Sequence, residues 1–164
     1  MNKAKQQALK IQRDIEKLLN IKFTGEIHLD NDKIKSHCKD NQCKYVKNNC
    51  RQPCICSDYK IIRLVEIKNG TQIYTNRIYY QLGHEMGHYW FGITNDSKRN
   101  ETLACYTALL CLHLLLKDEI YEYQCLNEIN DYSKYNQLAY KIIKNLNYSI
   151  DKNKIEQEYQ KIEK

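Results

Sequence analysis

Two histidines four residues apart, with a glutamate directly after the first, constrain this chain more than any other feature: His84, Glu85, Met86, Gly87, His88. On an α-helix, residues i and i+4 share a face, so both imidazoles can converge on one ion only if this segment is helical. Glu85 is rotated one residue away, where it can reach an activated water without becoming a ligand. A catalytic zinc takes three protein ligands and leaves a fourth position to water, so a third ligand is needed from another element. The metzincin extension would put glycine three residues and histidine six residues beyond His88. Phe91 and Thr94 stand there, which excludes that class. Glu101, at the start of the next helical stretch, is the candidate instead. Cys105, Ala108 and Leu112 fall within about 40° of Glu101 around a helix, with Ala104 close by. Such small side chains would let this helix press against the first and bring Glu101 to the metal. Gly87 removes bulk where a strand could approach.

Around this centre the chain reads as one α+β domain over residues 1–164, helix-rich at its C-terminal end. Residues 3–19 place Ala8, Ile11, Ile15, Leu18 and Leu19 at helical spacing. Residues 26–31 alternate weakly, as a short strand does. Asn69-Gly70 between β-rich runs predicts a hairpin over 59–76, because both residues tolerate positive φ. A helix over 78–91 follows, with Gly92 as its C-cap. Ser97 or Asn100 is the expected cap of the next helix, which runs to about Lys117. Asp131 and Asp151 are expected N-caps further on.

Charge and composition exclude some classes. The net charge is +6, but the lysines are scattered, so a solvated surface explains them better than a nucleic-acid site. The first residues lack the apolar core of a signal peptide, and the most apolar stretch, 108–116, is too short to span a bilayer. A cytoplasmic protein without membrane association is therefore expected. In a reducing compartment the cysteines need their own account. His37, Cys38, Cys43, Cys50, Cys54 and Cys56 crowd into a polar, aperiodic insertion at about 37–56. Four such ligands could close a second, structural metal site, an iron–sulfur cluster included. Reduced thiols and disulfides are the alternatives, since the paired C-x-x-C knuckles of a zinc ribbon are missing. Cys105, Cys111 and Cys125 sit in apolar helical surroundings and read as small core residues.

Residues 59–112 as a whole resemble the ImmA/IrrE family of small zinc metallopeptidases. That family carries a HExGH helix after an edge strand, then a helix with Glu-x-x-Ala and a second alanine four residues on. His84, Glu85, Gly87 and His88 match the first element, and Glu101, Ala104 and Ala108 match the second. Thr107 stands where an aromatic is usual, Cys105 where asparagine often follows the alanine, and the cysteine insertion is foreign to the family. The resemblance implies a zincin-like fold, with a small hairpin or sheet packed on the active-site helix. It also implies a zinc-dependent endopeptidase whose protein substrate is often a transcriptional repressor.

In such an enzyme Glu85 is the general base, and the hairpin strand Thr71–Asn76 would pair with extended substrate. Tyr79, Tyr80, Tyr106 and His113 are candidate donors to the oxyanion, although His113 lies about 120° around the helix from Glu101. His28 reads as a structural residue. The competing class is a non-catalytic module that keeps the fold and uses the cysteine segment to hold a protein or nucleic acid. An intact Glu85, and the lack of basic–aromatic interleaving beyond Tyr45, argue against it. A secreted, disulfide-bonded protease or toxin is disfavoured by the missing signal peptide.

Overall fold

Helix α1 (Lys3–Leu19) forms where the apolar residues recur at helical spacing, and it buries Ala4, Ala8, Ile11, Ile15 and Leu19. The chain leaves it through Asn20 in the left-handed region, which asparagine tolerates. In the computed structural model, residues 3–29, 53–56, 58–65, 72–127 and 132–164 are described. Strand β1 (Glu26–Leu29) pairs in parallel with β3 (Ile61–Leu64), and β2 (Cys54–Ile55) pairs antiparallel on the other side of β3. The sheet order is thus β1-β3-β2. Alternation along the strands sends Ile27, Leu29, Ile62 and Leu64 into the core.

The expected hairpin is corrected here. Asn69 and Gly70 lie outside the described residues, and the chain after them is not a strand: Gln72 already begins helix α2 (Gln72–Phe91). Strand preference in Thr71–Asn76 is a weak local signal that surroundings override. Asn76 is buried on the helix and donates through Nδ2 to Asp118 at 3.1 Å, while Thr75 meets Gln7 of α1. Ile78, Leu82 and Met86 are also buried, on a helical face that the core covers. The antiparallel partner of β3 comes instead from the end of the cysteine-rich segment. Tyr59, in the left-handed region, helps turn β2 into β3, its N–H donating to the Cys56 carbonyl.

Helix α3 (Ser97–Cys111) continues into a π-helical turn at Leu112–Leu116 and stops at Lys117, which adopts the left-handed conformation. Then come α4 (Glu119–Asn127), α5 (Ser133–Leu146) and α6 (Lys152–Glu163). Neither Ser97 nor Asn100 caps α3. Asp96 does, its carboxylate accepting from the Arg99 N–H at 3.0 Å. Asn100 is buried one turn later and holds the α2–α3 connection, donating to the Thr94 carbonyl and accepting from its N–H. Asp151 caps α6 as expected, Gly92 ends α2 with positive φ, and Asp131 lies outside the described residues. The architecture is mixed α+β, with α2 and α3 at its centre. No helix among the described residues is long and apolar enough to cross a membrane.

Candidate metal centre

Helices α2 and α3 approach so closely because both contribute small residues at the crossing. A β-carbon added to Gly87 would lie 2.9 Å from the Ala104 Cα and 2.8 Å from the Thr107 side chain. One turn earlier, a β-carbon on Gly83 would sit 3.1 Å from the Ala108 Cα. Gly87 therefore makes room for a helix, not for the strand expected there. The small face of α3, Ala104 and Ala108, meets α2 as its spacing predicts. Arg99 reinforces the connection, donating to the Phe91 and Gly92 carbonyls at the end of α2 and pairing with Glu156 of α6 at 2.9 Å.

This crossing brings His84, His88 and Glu101 together. His84 Nε2 lies 3.1 Å from one Glu101 oxygen and His88 Nε2 lies 3.4 Å from the other. The three ligand atoms all fall within 4.8 Å of one another. Two imidazole nitrogens and one carboxylate, converging from two packed helices, match the donor set of a catalytic zinc with an open position. Both histidines are buried, and Glu101 is partly exposed, which leaves one side of the cluster open.

Electrostatics follow from that packing. Burial alone would raise the Glu101 carboxyl. Hydrogen bonds and charges from His84 and His88 outweigh it and hold the group well below the usual carboxylate range. For His88, burial pulls the pKa down, yet the hydrogen bond to Glu101 and the charges of Glu85 and Glu101 leave it raised above 6.5. Glu85 is raised, chiefly by burial, against the lowering pull of the two histidines. A ligating imidazole must be neutral, so protons compete with metal at His88 from a higher pH than for an ordinary histidine. Affinity for any metal held there is accordingly expected to begin falling above pH 6.5 as the solution is acidified. Dialysis between about pH 8 and pH 5.5 against a free zinc concentration that half-fills the site at the alkaline end, followed by metal analysis, checks this. Unchanged half-filling at the acid end would contradict it.

Among the described residues β2 is one of the two outer strands, and it reaches the base. Its residue pairing, with the Cys56 N–H bonded to the Ile61 carbonyl, points the Ile55 backbone away from β3. The Ile55 N–H donates to the Glu85 carboxylate, and by the same alternation the Ile55 carbonyl faces outward. Periodicity could not have found Ile55, because two residues of strand carry no pattern.

Other residues singled out from the sequence have different fates. Tyr106 is buried and donates to the Ser149 carbonyl at 2.7 Å, and the Tyr80 hydroxyl donates to Asn136 Oδ1 at 2.7 Å, so both phenols are engaged elsewhere. His113 stacks on Tyr148 with ring centroids 3.6 Å apart and pairs with the buried Glu122, outside the cluster. His28 pairs with Glu26 at 2.9 Å. Cys105 and Cys111 are core residues as expected, and Cys125 is half-buried. Tyr132 was missed: its ring lies edge-on to His84 at 5.1 Å. One tyrosine among 14 offers no sequence signal.

Of the proposed second site, His37, Cys38, Cys43 and Cys50 lie outside the described residues. Cys54 and Cys56 are buried in and beside β2. Among the described residues the only grouping able to hold a metal is His84, His88 and Glu101. In comparisons with known proteins, no family model, curated protein or solved structure matches the chain.

Proposed function

We propose that this protein is a zinc-dependent endopeptidase similar to the ImmA/IrrE metallopeptidases, acting in the cytoplasm on a specific protein. The resemblance makes a transcriptional repressor the expected substrate. The observation that carries the reading is the convergence of His84, His88 and Glu101 from two helices, with Glu85 buried beside them. Zinc bound there supplies Lewis acidity, which activates water and polarises a carbonyl oxygen. Burial raises Glu85 toward the pH at which a carboxylate is an effective base, so it takes a proton from the attacking water and returns it to the leaving amine. The Ile55 N–H holds Glu85 in place, and the outward Ile55 carbonyl is available to an extended peptide added at the sheet edge. Substrate pairing is thus assigned to β2 rather than to Thr71–Asn76. An oriented base also favours hydrolysis over a non-catalytic binding module, which has no use for one.

Zinc and iron per chain, measured on protein purified under reducing conditions beside His88→Ala, test the proposal. One zinc lost on substitution supports the site, and metal left behind belongs to the cysteine-rich segment. A wild-type chain that takes up no zinc after reconstitution sinks the metallopeptidase reading.

A further inference from the structure

The outer nitrogen of His84 faces a thiol. Cys105 Sγ lies 3.7 Å from His84 Nδ1 and 3.8 Å from the Tyr80 hydroxyl, which donates to Asn136 Oδ1. Asn136 is buried and donates through Nδ2 to the Cys125 carbonyl at 3.1 Å. None of these contacts is local in sequence. They join α2, α3, α4 and α5.

Counting hydrogens orients the whole chain. The Cys125 carbonyl can only accept, so the Asn136 amide nitrogen must face it and Oδ1 must face Tyr80. Tyr80 has one hydroxyl hydrogen, which goes to Oδ1. Its oxygen therefore meets Cys105 as an acceptor, and the single S–H points at Tyr80. With metal on Nε2 in place of the Glu101 contact at 3.1 Å, the one hydrogen of the ring sits on Nδ1, and the sulfur is left to accept it. If the S–H pointed at His84 instead, Tyr80 and Cys105 would face each other with no hydrogen between them.

We infer that Cys105, Tyr80 and Asn136 form a one-directional relay that accepts the Nδ1 hydrogen of His84 when its Nε2 holds metal in place of the Glu101 contact. Cys105 is thereby a positioning residue of the metal centre. His88 has no equivalent support: its Nδ1 is buried without a hydrogen-bond partner among the described residues. The relay thus orients one imidazole, and Glu101 must hold the other. A histidine ligand whose second nitrogen is held in this way loses about 10- to 100-fold in metal affinity when the outer partner is removed.

The inference rests on the metal-site reading above, and the test separates the two. Zinc affinity is measured by chelator competition on the full chain and on Cys105→Ala, Cys105→Ser and Tyr80→Phe. The unfolding midpoint of each metal-free protein is recorded alongside. Cys105→Ala is expected to weaken zinc by about 10- to 100-fold, and Tyr80→Phe by less. Cys105→Ser, which can still accept and donate, should stay within about threefold of wild type. In the zinc-loaded wild type, nitrogen NMR of the His84 ring should show the proton on Nδ1. Wild-type affinity in Cys105→Ala or Tyr80→Phe overturns the relay, as does a His84 proton on Nε2. A Cys105→Ser loss as large as that of alanine also overturns it, because packing would then explain the effect. A wild type that binds no zinc overturns the metal site itself.

Discussion

Replacing Glu85 by glutamine is expected to leave zinc in place and to cut peptide hydrolysis by about 10²- to 10⁴-fold, the usual contribution of a general base. Glutamine keeps the shape and can still accept from the Ile55 N–H, but it cannot take a proton from water. Burial helps tune this position: it raises Glu85 above an ordinary glutamate, which makes the carboxylate a stronger base toward water. Cleavage of a quenched-peptide library, with metal content measured on the same samples, separates the outcomes. A variant that retains zinc and cleaves at the wild-type rate removes Glu85 from the mechanism. One that loses its zinc assigns Glu85 a structural role.

The second large effect is expected at the helix crossing. Gly87→Ala should destabilise the fold by about 1–3 kcal/mol, the cost of overpacking a filled interface. Helix propensity favours alanine by about 1 kcal/mol and works in the opposite direction. Sterics win because the new β-carbon would lie 2.9 Å from the Ala104 Cα, which is backbone and cannot swing aside. Any retreat of α3 carries Glu101 with it, so zinc affinity should fall in the same variant. Gly83→Ala is the control. Its nearest neighbours are at 3.1 to 3.3 Å, a contact that relaxes with small shifts, and propensity should leave it near neutral. Urea midpoints for both variants, with chelator competition, check the pair. Equal stability for Gly87→Ala and wild type would show that α3 accommodates the methyl, and the close-approach argument would fail.

Much of the site was legible because its geometry is helical and local. His84 and His88 share a face by spacing alone, and Glu101 is aligned with Cys105, Ala108 and Leu112 by the same arithmetic. The core face of α1 and the capping role of Asp151 were equally plain. What escaped was non-local. The hairpin signal at Asn69-Gly70 suggested a partner for β3 from the residues that follow, but Thr71–Asn76 carry only a modest strand preference. Burial of Asn76 and its bond to Asp118 draw the residues from Gln72 onward into the helix. Asn136, a polar residue on the face of α5 that also buries Ala139, Ile142 and Ile143, was not singled out, because nothing local names its partners.

The sequence by itself determined that two imidazoles and a following glutamate lie on one helix, and that a second helix with a small-residue face offers a carboxylate. Those are periodic facts, and a helix repeats every 3.6 residues wherever it sits. Only the tertiary structure decided that an outer strand comes from the end of the cysteine-rich segment, that the Ile55 N–H reaches Glu85, and that Cys105 stands between His84 and Tyr80. The last two join residues at least 20 positions apart. Their pairing is selected by the burial of whole faces against one another, which no local pattern records.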